Sequence, residues 1–230
     1  MTFLIYVLIV SAFSVAGSWY AKKYNSYDLL YGIYITFCLI TQIIASKIAT
    51  FDIFGYKFTA PAAMLIFGVT FLLTDVVNEK FGRKAVHKMI LITFVTQVFM
   101  SFFLLFATKI EPAPYWNGQE SWNSIFGLVP RILIASWITF LVSENLDAYL
   151  FEIVRKFTKG KHLWARNVFS TIPSLTVDTL IFVTIAFYGT GLPILEIMTG
   201  QFVTKYFVGI INIPFMYLNK SILGKTAYDI

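Results

Sequence analysis

Cysteine, histidine and charged residues are scarce in this chain of 230 residues, and each shortage excludes a class of protein. A single cysteine, Cys38, rules out intrachain disulfides and cysteine-cluster metal sites. The two histidines, His87 and His162, lie in basic segments, where a solvated loop histidine is the ordinary case, so no metal site is predicted. Since the sequence has no phosphate-cradling loop of the P-loop kind, an ATP-binding domain is not expected.

Apolar residues dominate what is present. They make up 58% of the chain, only 13% is charged, and the mean hydropathy is +0.74. No soluble domain of this size needs so much apolar surface, so residues 1–230 are predicted to form one integral membrane domain, an all-α polytopic bundle. A helix crosses the hydrocarbon core with about 20 mostly apolar residues. Seven stretches qualify: 2–20, 28–50, 61–80, 88–109, 128–154, 166–188 and 197–219.

Lysine and arginine set the predicted orientation. The net charge is +6, and the basic residues collect in alternate loops, so the positive-inside rule predicts a multi-pass plasma-membrane protein with its N-terminus outside and its C-terminus cytoplasmic. Charge placed in this way serves topology and anionic headgroups, and nucleic acid is not an expected partner. The basic loops contain Lys22, Lys23, Lys80, Arg83, Lys84, Lys88, Arg155, Lys156, Lys159, Lys161, Arg166, Lys220 and Lys225, whereas the opposite loops contain little more than Lys57 and Lys109.

Three segments near the outer face allow further predictions. The first span lacks the basic start of a signal peptide and is predicted to be retained, with cleavage after its small residues as the alternative. Residues 51–59 alternate weakly around Gly55, which predicts a small hairpin. Residues 110–126 carry Trp116 and Trp122 and predict an interfacial loop or short amphipathic helix, with a lid over an outward-facing site as the alternative.

Asp178 is the most informative residue. It lies near the middle of the sixth span, where a charged side chain costs about 2.5–3.5 kcal/mol on insertion scales. A partner charge, a water-filled cavity or protonation would offset that cost, and Lys205 in the next span is the candidate partner. An ionisable residue at this depth predicts a solute or ion pathway. Pro173, five residues earlier, predicts either an irregular helix beside the acid or a simple packing kink.

Other polar residues share helix faces within the spans. They are Gln42, Ser46 and Lys47 on the second span, Thr70, Thr74, Asp75 and Asn78 on the third, Ser136, Ser143, Glu144 and Asp147 on the fifth, Ser170 and Ser174 beside Asp178 on the sixth, and Gln201 and Asn212 beside Lys205 on the seventh. Single hydroxyls of this kind mostly join helices. For the acids of the cytoplasmic third (Asp75, Glu79, Glu144 and Asp147), an interfacial charge network with Arg83, Lys84 and Arg155 is the alternative to a functional role.

Four segments together resemble the queuosine precursor transporter family, also called the vitamin uptake transporter family. They are PAAMLIFGVTFLLTDVVNEKFGRKA (61–85), ENLDAYLFEIVRKF (144–157), STIPSLTVDTLIFVTIAFYG (170–189) and KYFVGIINIPFMY (205–217). The resemblance covers nearly all of residues 28–220. It implies a six-helix core over that range, like the S-components of energy-coupling factor transporters, with residues 2–20 as an additional N-terminal helix.

The resemblance also implies a substrate, because the family imports 7-deazaguanine bases, precursors of a modified guanosine in tRNA. It implicates Asp75, Asp147, Asp178 and Lys205 in substrate binding. The chemistry fits, since one carboxylate can accept from the N1–H and the exocyclic amine of a guanine-like edge while an amide or lysine donates to the carbonyl. Gln42, Gln201 and Asn212 complete the predicted substrate-binding set, and no catalytic residue, cofactor or metal is predicted.

The way in which import is energised stays open at this point. A secondary transporter would couple uptake to a proton or sodium gradient, whereas an S-component, for this or another vitamin-like solute, would need separate energy-coupling subunits. Small residues four positions apart, at Ala12/Ala16 and Ala45/Ala49, suit a partner helix. An intramembrane enzyme is disfavoured, because the spans hold no Ser/His or paired-His constellation.

Overall fold

The computed structural model describes residues 2–53, 55–126, 129–159, 163–189 and 193–224. For residues 2, 3, 53, 129, 130, 163 and 167 it describes the backbone only. Seven long helices, one short helix and a two-stranded hairpin make up this part of the chain. Their bounds are α1 (Thr2–Tyr24), α2 (Asp28–Ile44), β1 (Ile48–Ile53), β2 (Tyr56–Pro61), α3 (Met64–Phe81), α4 (Arg83–Thr108), α5 (Gln119–Phe126), α6 (Val129–Phe157), α7 (Leu163–Phe187) and α8 (Ile194–Leu223).

The protein is an all-α polytopic membrane protein. Five apolar runs within the described residues are long enough to cross a membrane, and they contain α1, α4, α6, α7 and α8. α2 is apolar but shorter, at 17 residues, which at about 1.5 Å per residue still covers most of a hydrocarbon core of about 30 Å.

α3 is the central helix. It packs against α1, α2, α4, α6 and α8, and every residue from Gly68 to Glu79 is buried. A helix surrounded by protein does not need an apolar surface, because its polar side chains meet other helices and not lipid. This explains how α3 accommodates five buried polar residues, Thr70, Thr74, Asp75, Asn78 and Glu79.

The predicted second span is too long at its end. The helix stops at Ile44, and residues 48–53 pair antiparallel with residues 56–61 in a hairpin wider than the predicted 51–59. Lys47 and Ser46 therefore lie in the turn after α2 and not on the helix. Isoleucine, threonine and phenylalanine favour strands as much as membrane helices, so hydropathy alone placed this segment in the span. At the hairpin turn Gly55 has φ +88°, and its N–H donates to Asp52 Oδ1 at 3.0 Å.

The segment after α4 contains the predicted short helix, α5. Trp122 packs against Phe126 at 4.5 Å and against Trp116 at 6.4 Å between ring centroids. None of the residues of α5 is buried, as suits a helix at an interface.

The two ends of the bundle differ in character. One end, called here the hairpin end, carries the β-hairpin, α5 and the α7–α8 connection. The other, called here the basic end, carries the α1–α2, α3–α4 and α6–α7 connections and most of the lysine and arginine. Lys161, His162 and Lys225 belong to the predicted basic loops but lie outside the described residues.

α1 is packed into the bundle by polar contacts. It lies against α8, α3 and α2. Ser11 Oγ donates to Asn212 Oδ1 at 3.3 Å, and Asn219 Nδ2 donates to Ser14 Oγ at 2.9 Å, so two hydroxyls of α1 bind two amides of α8. The division into an additional helix over 2–20 and a six-helix core over 28–220 remains a prediction.

Candidate functional site

A buried ion pair joins α7 to α8 in the interior of the bundle. Lys205 donates to Asp178 Oδ2 and, at 2.9 Å, to Thr179 Oγ1. The other carboxylate oxygen of Asp178 accepts from Ser143 Oγ of α6 at 3.2 Å. The lysine nitrogen also lies 5.2 Å from the centre of the Phe67 ring. Because each carboxylate oxygen has two acceptor positions, Asp178 keeps capacity for further donors.

This ion pair borders a cavity that holds about 540 Å³ of atom-free space, including what opens to solvent. Ala45, Pro61, Ala63 and Met64 line it, so the cavity lies in the half of the bundle nearer the hairpin end. The other lining residues are Cys38, Thr41, Gln42, Phe67, Gln97, Ser136, Thr139, Phe140, Asp178, Phe182, Gln201 and Lys205.

Three glutamine side chains in the lining carry polar atoms without a hydrogen-bond partner among the described residues. Neither amide atom of Gln201 is bonded, and the amide oxygens of Gln42 and Gln97 are likewise unpaired. Thr139 Oγ1 adds a fourth such group. An unsatisfied buried polar group costs about 1–3 kcal/mol, and native proteins keep few of them. Several around one cavity give it donors and acceptors that a polar ligand or water can bind.

The apolar part of the lining suits a flat ligand. Phe67, Phe140 and Phe182 come from three different helices and offer ring faces or edges to the cavity. A carboxylate, an ammonium group and amides that can both donate and accept lie beside them. This combination of stacking surface and several polar groups can bind a planar heterocycle with donors and acceptors on its edges.

Of the residues predicted from the sequence, four line the cavity: Asp178, Lys205, Gln42 and Gln201. Asn212 is placed elsewhere, where it donates to the Gly68 carbonyl at 2.8 Å and accepts from Ser11, so it joins α8 to α3 and α1. Asp75 and Asp147 also lie apart from the lining, toward the basic end, and are only 1% and 0% exposed.

A second buried ion cluster lies near the basic end. The two terminal guanidinium nitrogens of Arg166, Nη1 and Nη2, donate to Glu79, and Lys220 donates to Glu79 Oε1 at 2.9 Å. Arg166 was predicted to lie in a basic loop, but it belongs to α7 and is 1% exposed. Arg83 was one of the predicted partners of the acids in the cytoplasmic third. It pairs instead with Glu152 on the surface and not with Glu79. This cluster ties α3, α7 and α8 together on the side of the bundle away from the cavity.

Sequence reasoning missed part of the lining, most notably Gln97 and Thr139. Gln97 is a long polar side chain near the middle of the apolar α4, and that was the signal available in the sequence. Cys38 was noted only as the single cysteine, yet it also lines the cavity.

The fold and the cavity define the class of this protein: a polytopic membrane protein with a largely apolar cavity between its helices that a few polar and charged side chains also line. The chain belongs to the family described as "Putative vitamin uptake transporter", whose sequence profile matches residues 61–219. It is 31% identical over 194 residues to a "Probable queuosine precursor transporter" of Bacillus subtilis, covering 83% of this chain and 82% of that protein. A protein of the same description from Haemophilus influenzae is 28% identical over 161 residues, with 68% and 66% covered. No solved structure gives a significant match.

Proposed function

We propose that this protein imports queuosine precursors, 7-deazaguanine bases, across the plasma membrane, and that it does so without catalysing a reaction. The two relatives described as queuosine precursor transporters support the substrate class. The observation that carries the proposal for this chain is the set of unpaired amide groups beside the buried carboxylate of Asp178, in a cavity that phenylalanine rings also line.

The proposed binding mode follows from the free positions in the cavity. Asp178 accepts from the N1–H and the exocyclic amine of the base, using the acceptor positions that Ser143 and Lys205 leave open. Lys205 stays paired with the carboxylate, and the amides of Gln42 and Gln201 bind the carbonyl and ring nitrogens. Phe67 and Phe182 contact the ring faces. Asp75, Asp147 and Asn212 lie outside this cavity, so in this mode they do not touch the base.

The proposed direction of transport follows from charge. With the basic end cytoplasmic, the N-terminus is outside and the cavity lies in the outer half of the protein. The cluster of Glu79, Arg166 and Lys220 then lies between the cavity and the cytoplasm. The described conformation would be an outward-oriented one, and import would require this cluster to separate.

Cys38 provides a direct test, because it is the single cysteine and borders the cavity. Purified protein in nanodiscs is alkylated with a small membrane-permeant maleimide in the presence of 7-cyano-7-deazaguanine or adenine. The 7-deazaguanine should slow alkylation of Cys38 because it fills the cavity. Adenine should not, since its edge presents an acceptor where guanine presents the N1–H. Equal rates with both bases, or no protection by either, would contradict the proposal.

The source of energy divides the proposal into two forms. A secondary transporter would accumulate the base alone, whereas an S-component would need separate energising subunits. One observation is compatible with the S-component form. Ala12 and Ala16 are both exposed on α1, where a partner helix could approach closely. The other small-residue pair does not form a helix face, because Ala45 follows α2 and Ala49 lies in β1. Uptake by the chain alone in proteoliposomes distinguishes the two forms.

A further inference from the structure

Five acidic side chains are buried in the bundle, and they differ in how their charge is compensated. They are Asp75, Glu79, Glu144, Asp147 and Asp178. Asp178 is paired with Lys205, and Glu79 with Arg166 and Lys220. Among the described residues, no lysine or arginine lies within ion-pair distance of Glu144 or Asp147, although both acids are 0% exposed. An unpaired ionised carboxylate at that depth is far too costly to persist, so these two acids must be neutralised in another way.

Asp147 lies in a polar nest between three helices. It belongs to α6 and faces the hydroxyls of Ser170 and Thr171 on α7 and the carboxyl group of Asp75 on α3. Neither of its oxygens has a partner with full hydrogen-bond geometry among the described residues. Thr171 Oγ1, which faces it, is also without such a partner although the residue is only 3% exposed. Asp147 and Thr171 Oγ1 therefore both keep unused hydrogen-bonding capacity.

Two carboxyl groups that face each other away from water cannot both be ionised unless a cation lies between them. A single shared proton neutralises one carboxyl group and bonds it to the other.

The charged groups around Asp147 come from three helices. Asp75 belongs to α3, and Glu144 lies three positions before Asp147 on α6. Arg166 of α7 is bound to Glu79 of α3. The buried residues of α4, the other helix against α6, are all uncharged.

Glu144 links this nest to the cavity. It lies three positions before Asp147 on α6, and the residue before it, Ser143, donates to Asp178 at 3.2 Å. Thr70 Oγ1 donates to Glu144 Oε1 at 3.5 Å, and Tyr34 of α2 lies beside the carboxyl group, whose Oε2 has no partner with full hydrogen-bond geometry among the described residues. The acids thus form a row that begins at Asp178 in the cavity, passes Glu144 and ends at the pair of Asp147 and Asp75 toward the basic end.

We propose that Asp147, which faces Asp75, is a proton-binding site, that Glu144 connects this site to the cavity, and that occupation of the site by a proton is coupled to transport of the base. Asp178 is the less suitable proton carrier, because Lys205 already compensates its charge. The coupling half of this inference rests on the proposed function. The proton site itself does not, and the two are tested separately.

The proton site is tested first without any base. Infrared difference spectra of the protein in nanodiscs are recorded between acid and alkaline buffer, where a protonated carboxyl group gives its own carbonyl band. The wild type should show a carboxyl band that titrates, and Asp147→Asn should lose one component of it. Glu152→Gln is the matched control, since Glu152 lies on the same helix but pairs with Arg83 and Lys156 near the surface. An unchanged titrating band in Asp147→Asn would overturn the proposal.

The coupling is tested with radiolabelled 7-cyano-7-deazaguanine in proteoliposomes under an imposed pH gradient. If one proton accompanies one base, a gradient of one pH unit should support about tenfold accumulation by the wild type and by Glu152→Gln. Asp147→Asn should lose accumulation while still binding the base and exchanging it between equal pools. Glu144→Gln should slow accumulation more than it weakens binding, and it serves as the second variant if Asp147→Asn does not fold.

Each result decides between the two proposals. Accumulation by Asp147→Asn and Glu144→Gln equal to the wild type would overturn the coupling role, as would accumulation that follows a sodium gradient and ignores pH. A wild type that binds the base but never accumulates it under a pH gradient would also overturn the coupling role. Failure to bind 7-cyano-7-deazaguanine would instead reject the proposed function, and the infrared result would still decide the proton site.

Discussion

At the scale of single residues, the ion pair between Lys205 and Asp178 carries the sharpest expectation. Removal of one partner leaves a buried charge uncompensated, which costs about 3–5 kcal/mol. Asp178→Asn and Lys205→Met should therefore each lower the Tm and abolish binding of 7-cyano-7-deazaguanine. The double variant removes both charges, so it should regain much of the lost thermal stability but not the binding. Binding by the double variant at the level of the wild type would assign the pair a purely structural role.

Gln201 provides a second expectation at this scale, because a side chain held for a ligand should not contribute to folding. Neither of its amide atoms is bonded among the described residues. Gln201→Leu should weaken binding of the base by about tenfold or more and leave the Tm equal or higher, since an unsatisfied buried amide is lost. Isothermal titration and thermal unfolding in detergent measure the two effects.

Asn212→Leu is the contrasting variant on the same helix. Its amide is bonded to Gly68 and Ser11, so the substitution leaves both partners unsatisfied and should lower the Tm. A lower Tm for Gln201→Leu with unchanged affinity would assign Gln201 a packing role.

At the scale of elements, the position of the hairpin depends on one glycine of α8. A Cβ atom at Gly200 would lie 2.3 Å from the carbonyl oxygen of Thr59 in β2, closer than such atoms ever approach. Gly200→Ala must therefore push the hairpin away from α8. Because Pro61 of the same strand lines the cavity, alkylation of Cys38 by a small maleimide should become faster and the Tm should fall.

Gly32→Ala is the control for that experiment. No atom lies within 4 Å of a Cβ at this position in α2, so the substitution should gain about 0.5–1 kcal/mol of helix stability. Cys38 should react at the wild-type rate. Equal alkylation rates in both variants would show that the hairpin does not limit access to the cavity.

At the scale of the whole molecule, the predicted orientation can be tested with two engineered cysteines. Trp116→Cys lies near the hairpin end, and Lys159→Cys follows α6 at the basic end. Both are introduced together with Cys38→Ser, so that the native thiol cannot react. In intact cells an impermeant maleimide should label position 116 and spare position 159. The reverse pattern would invert the proposed direction of transport.

The long helices could be located from the sequence because each contains about 20 mostly apolar residues, a requirement that the bilayer imposes. The end of α2 could not be located from the sequence, since Ile48, Thr50 and Phe51 suit a strand as well as a membrane helix. Asp178 and Lys205 were conspicuous because charge is costly in the spans. Gln97 was not conspicuous, because an uncharged amide in a span costs less free energy than a charge. The direction of its side chain also depends on packing. The partner of Glu79 was also unpredictable, as Arg166 looked like one basic residue among many.

The enclosure of α3 has a consequence for how the protein is made. Asp75 and Glu79 would each cost about 2.5–3.5 kcal/mol on insertion scales if this helix faced lipid alone. Three of the helices that shield it, α4, α6 and α8, follow it in the chain. During synthesis α3 must therefore wait beside the insertion machinery, or enter together with later helices, until α8 brings Asn212 to the Gly68 carbonyl and Lys220 to Glu79. The helix at the centre of the finished bundle is thus among the last to reach its final surroundings.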